Sequence, residues 1–228
     1  MRVTRPSRIV VGLAGLALVA NASACAGSGN NFVQNDEYGV YAKVPASWTV
    51  FGSDEVLEAV TGRSHDSDSS DSPLQPRVWL SGFDAGDHPR ARDVVEPGDD
   101  EPRGYLQIVQ LTRSEREQIN LSAMRGAVLG ADPLATDPLT GQSSDAQVLA
   151  DEPVEFDGGY HGLHTVIATQ PQARGEEATV IDQTAVLNSD TSVLYLLVVS
   201  CNEDCYFETS HDDITEIVDS WAIQEDGS

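Results

Sequence analysis

Positive charge is scarce in this chain. Of 228 residues only 13 are Lys or Arg, against 37 Asp or Glu, and the formal net charge is −24. So acidic a surface repels phosphate backbones and anionic lipid headgroups, which excludes nucleic acid as a partner. Lysine is rarer still: Lys43 stands alone, and the other basic residues are arginines, a bias that suits a GC-rich genome. Catalytic motifs are missing as well. No Gly-x-Ser-x-Gly elbow, Ser-x-x-Lys, His-Glu-x-x-His or phosphate-binding loop is found. No catalytic residue is assigned, although a dispersed triad using Ser, Asp and one of the five histidines stays open. Long apolar runs are also absent. The longest near the N-terminus, Ile9 to Ala20, is about a dozen residues, and a bilayer-spanning helix needs about 20.

That short run has its own logic. Arg2, Arg5 and Arg8 precede it with no acid to offset them, and Ala22-Ser23-Ala24-Cys25 follows. A basic start, an apolar middle and a small-residue end are the layout of a secretory signal peptide. Three small residues and then a cysteine suit cleavage followed by lipidation. The expected mature chain begins at Cys25 and is held by acyl chains to the outer face of the cell membrane, outside the cytoplasm. A single acyl chain binds a membrane only marginally, so stable anchoring takes two or more. Cleavage removes three arginines and no acid, which takes the net charge from −24 to −27. Such charge keeps a crowded envelope protein soluble and favours a cationic partner. Ala26 to Asn31 is rich in Gly, Ser and Asn, the composition of a flexible tether. The expected division is a signal peptide over 1–24, a tether over 25–34 and one globular domain over 35–224.

Cysteines number three, and acylation of Cys25 accounts for the odd one. Cys201 and Cys205 remain, in a compartment where disulfides persist. In an extended strand they would lie about 13 Å apart, beyond the roughly 4.4–6.8 Å a disulfide spans. They pair only if the chain turns at Asn202-Glu203-Asp204, a good turn tripeptide.

Alternation and breaker residues predict strands over 37–44, 48–51, 77–83, 105–111, 153–156, 163–169, 179–187 and 192–200. Asp157-Gly158-Gly159 reads as a hairpin turn. A short helix is expected over 54–60, with Ser53 as cap and Gly62 as stop. A second helix is expected near 114–129, with Ser114 and Glu117 at capping-box spacing and Asn120 or Ser122 as a later start. A last helix follows Ser210, with Ile214, Ile217, Val218 and Trp221 on one stripe. Val193 to Val199 is apolar on both faces, so that strand must be covered on both sides, and helices are expected on each face of the sheet.

With these elements in order, a resemblance emerges. The Val44-Pro-Ala-Ser-Trp48 turn, the mid-chain helix, the hairpin, the two long strands and the closing Asp219-Ser220-Trp221 resemble the PsbP-like α/β/α fold. In particular they resemble the LpqN-type lipoproteins of actinobacteria. The resemblance covers residues 35–224. It implies an α+β domain with an antiparallel sheet between helical layers, and a non-enzymatic, partner-binding role. It brings no catalytic residues.

The remaining candidates are weaker. His161 and His164 invite a metal, but i and i+3 on a strand point to opposite faces. Asp66, Asp68 and Asp71 offer oxygen ligands for calcium, yet Asp71 stands where an EF-hand needs Gly and no Glu closes the loop. Trp48, Trp79 and Trp221 read as core aromatics. The expectation is a lipid-anchored surface protein that binds an envelope or extracellular partner, with no cofactor and no metal. An extracytoplasmic hydrolase with a dispersed site, and a small-ligand or metal carrier, are the competing readings.

Overall fold

The computed structural model describes residues 29–62, 77–135, 146–170 and 178–224. The signal segment, Cys25 and the Asp66-to-Asp71 loop lie outside them. The chain is α+β with antiparallel sheets. Seven strands form the main sheet: β3 (Thr49–Phe51), β4 (Val78–Asp84), β5 (Arg103–Gln110), β6 (Gln147–Phe156), β7 (Tyr160–Ala168), β8 (Thr179–Leu187) and β9 (Val193–Asn202). Their spatial order is β3-β4-β5-β9-β8-β7-β6. β1 (Asn30–Asn35), β2 (Val40–Pro45) and β10 (Ala222–Ile223) make a separate three-stranded sheet in the order β1-β2-β10. Residues 30–34, read above as tether, are thus the body of a strand whose Val33 is fully buried.

β9 explains the layering. From Tyr195 to Asn202 every residue is buried. On one face Leu197, Val199 and Cys201 pack with Phe83 and Leu106 of the sheet and with Val33, Val40, Ala42 and Val44 of the small sheet. Ile214, Ile217 and Trp221, from α4 (His211–Ser220) and its C-cap, complete that cluster. On the other face Leu196 and Val198 pack with Met124 of α3 (Leu121–Arg125) and with Ile181 and Leu187 of β8. A third cluster joins Val56 of α1 (Ser53–Thr61) to Phe51, Leu80 and Val94. Both faces are covered, as an all-apolar strand requires. Helices lie on both sides, but beside α4 the cover is a sheet, because β2 alternates buried and outward residues as a one-face strand does.

Three helix starts differ from the sequence reading. At α1 the N-cap is Gly52, with no side-chain cap, and Ser53 is the first helical residue, its hydroxyl accepting from the Leu80 N–H at 3.2 Å. The capping box forms between Thr112 and Glu115, opening α2 (Arg113–Gln118). Glu117 pairs instead with Arg113 one turn back, at 3.0 Å. Asn120 caps α3, its side chain accepting from the Ala123 N–H. Ser210 makes no side-chain cap. A π-helical turn, Cys205–Thr209, runs straight into α4 and holds Ser210 at φ −124°, ψ 12°, away from the extended backbone a capping serine needs.

Candidate functional site

A cleft of about 440 Å³ opens where the β1–β2 connection, the first turn of α1 and the β4–β5 ladder meet. Its first wall is the 3-10 turn Asp36–Tyr38. Asn35 Oδ1 accepts from the Tyr38 N–H at 3.2 Å, and Gly39 ends the turn at φ 59°. A Cβ on Gly39 would fall 2.1 Å from the Gln224 carbonyl oxygen. Only glycine meets both the left-handed backbone and this close approach. Tyr38 is therefore fixed in place. Its ring stands edge-on to Tyr195, with centroids 6.4 Å apart, and its hydroxyl accepts from Gln110 Nε2.

The second wall is Trp79 of β4, half-buried and lining the cleft beside Arg77. Trp48 and Trp221 are the core residues expected, at 6% and 5% exposure; Trp79 is not fully enclosed. Arg77 is committed elsewhere. Its Nε and Nη2 donate to the Gln110 carbonyl at 3.1 and 2.8 Å, and Nη2 also bonds Glu115. The Thr112 N–H and hydroxyl, and then Arg77, hold the Glu115 carboxyl below the usual carboxylate range. Glu37 and Asp54 are exposed on the cleft's rim. What the arrangement can do is hold a polar ligand against fixed rings.

A second polar group is buried beneath the π-helical turn. Asp182 of β8 accepts from Tyr206 Oη at 2.6 Å and bonds His164 Nε2 at 2.8 Å. The Asp182 side chain is 6% exposed and that of His164 23%. Asp182 holds the His164 pKa above its ordinary value against the opposing effect of burial; Glu152 and Asp219 add to the rise. Burial, and then Asp182, push the Tyr206 phenol up. A buried carboxylate with two donors meets the requirement that an interior charge be paired.

His161 and His164 do fall on opposite faces of β7. His164 pairs across the sheet with Thr184 and bonds Asp182, while exposed His161 bonds the Gly159 carbonyl. Among the described residues, no group of three or more His, Cys, Asp or Glu is arranged to hold a metal ion. Cys201 and Cys205 are brought together, with Cα atoms 5.9 Å apart in a disulfide. The turn between them is anchored by Asn202 Oδ1, which accepts from the Cys205 N–H at 2.8 Å. Sequence reasoning missed Asp182 and Tyr206. A lone acid inside the apolar β8 run was the available signal, since a carboxylate buried there must have a partner. It also missed Tyr38 and Gln110, whose meeting depends on layer packing.

No family model matches the chain, and no curated protein does. Solved structures are similar to it in fold alone. One is LpqN, involved in cell envelope biogenesis of Mycobacterium tuberculosis, at 15% identity and TM-score 0.42, covering 86% of this chain and 91% of that one. Another is the cyanobacterial PsbP (CyanoP) of Synechocystis sp. PCC 6803, at 12% identity and TM-score 0.42, covering 90% of this chain and 99% of that one.

Proposed function

We propose that this is a lipid-anchored cell-surface protein whose α+β domain binds an envelope or extracellular partner through the cleft, without chemistry of its own. The observation that carries the anchor is the stretch from Arg2 to Cys25: three arginines, a dozen apolar residues, then Ala-Ser-Ala-Cys. Cys25 stands five residues before β1, which begins at Asn30. Five residues reach at most about 18 Å, so acyl chains on Cys25 would hold the domain against the lipid surface. Asn35, at the other end of β1, lines the cleft. The strand's length puts the cleft about 17 Å from the tethered end, open to a partner.

The test is Cys25→Ser in the producing cell, with fatty-acid labelling and membrane fractionation. The expected result is loss of the label and release of the protein from the membrane fraction. A substituted protein that pellets as firmly as the native one would show that something other than Cys25 holds it.

A further inference from the structure

The chemistry of the cleft narrows its ligand. Its two aromatic walls, Tyr38 and Trp79, come from different layers. Tyr38 is fixed by the Asn35 cap, by Gly39 against Gln224 and by Gln110. Ring faces are electron-rich and attract organic cations, Trp most strongly. The charges around them point the same way. Arg77 is matched by Glu115 and by the Gln110 carbonyl. The partial positive charge at the start of α1 is met by Asp54 and Glu55 in its first turn. Glu37, which makes no ion pair among the described residues, then adds a negative charge on the cleft's rim. A concave site inside a chain of net charge −24 concentrates that field.

We propose that this cleft binds an organic cation, an ammonium or guanidinium on an aliphatic stem, with Trp79 and Tyr38 against the cation and Glu37 and Asp54 as its counter-charges. This rests on the reading of the cleft as the binding surface and is independent of the Cys25 anchor. The group comes either from a free polyamine or from a Lys or Arg side chain of a protein partner; the cleft chemistry is the same for both.

The test is calorimetric titration of the domain at physiological salt with spermidine and with a capped tetralysine peptide. The fully acetylated peptide and maltotriose serve as neutral probes. The expected result is saturable binding of one or both amines and none of the acetylated peptide. Tighter binding of spermidine identifies a free polyamine, and tighter binding of tetralysine identifies a protein side chain. Glu37→Gln with Asp54→Asn should weaken binding at least about tenfold, although the protein stays strongly acidic. Trp79→Leu should weaken it about fivefold. Thermal melts of each variant check that it is folded. Amine binding unchanged in the double variant would reduce the effect to general surface charge and overturn the proposal. So would no amine binding at all. Binding of maltotriose alone would overturn it while leaving the cleft as a binding surface.

Discussion

At His164, pH is converted into stability. Its hydrogen bond to Asp182 raises its pKa in the folded protein above the unfolded value of roughly 6.5. The stabilisation is then fully present below about pH 6.5 and is lost as pH rises through the raised folded value. Urea unfolding of the native protein should therefore show stability falling from pH 6 into the mildly alkaline range. His164→Gln should flatten that slope, because the group left facing Asp182, the Tyr206 phenol, has its pKa pushed up and out of this range. A slope unchanged in the variant would assign the pH dependence to other groups. The burial behind this behaviour was only partly legible. Asp182 stands out in an apolar strand, but its partners are 18 and 24 positions away in the chain. No local pattern connects them.

At the level of elements, α3 and the stapled turn are held by polar groups more than by their own length. α3 spans only five residues, too few to be stable alone. Arg125 fixes it to the sheet: Nε and Nη2 bond both oxygens of Asp151 of β6, at 3.0 and 2.9 Å, and Nη1 bonds Asp132 at 3.0 Å. Gln183 of β8 adds two bonds to the Met124 and Arg125 carbonyls. The Arg125 side chain is 12% exposed and that of Asp151 27%, so solvent screens these pairs in part. Arg125→Met should cost about 2 kcal/mol, since it leaves two acids without their shared cation. Chemical denaturation measures the loss, and amide exchange over 121–125 should quicken more than in β9.

The disulfide acts differently. Closing so small a loop contributes about 2 kcal/mol through the entropy of the unfolded chain. Replacing both Cys201 and Cys205 by serine should lower stability by that amount. The His164 pH slope should survive, because Asn202 and Asp182 still hold the turn. The helices were readable as types and less well as boundaries. Asn120 was found as a cap, but the box at Thr112 was displaced by two residues, because Ser114 and Glu117 present the same spacing within one polar run.

Over the whole molecule, the dominant fact is charge. Like charges distributed over a folded surface repel one another, and salt screens them within about 8 Å at physiological ionic strength. Raising salt from about 10 to 150 mM should lift the thermal midpoint by about 2–4 °C, equivalent to about 1 kcal/mol in a domain of this size. A midpoint that falls with salt would show that attractive pairs such as Arg77–Glu115 outweigh the repulsion. The same field underlies the amine proposed for the cleft.

The composition, the N-terminal layout, the apolar β9 run and the turn residues are local properties, and the sequence alone was enough to predict an α+β domain covered on both faces. Hydrophobic period and backbone preference act over a few residues, so a single stretch carries them. What required the tertiary structure was which distant side chains meet: β1 and β2 leaving the main sheet to cover it, Trp79 left half-buried at the cleft, Tyr38 reaching Gln110, and His164 and Tyr206 converging on Asp182. Those meetings are set by how layers stack and by strand order, in which sequence neighbours such as β5 and β6 stand at separate places in one sheet. Packing is a property of the whole chain, and no window of the sequence contains it.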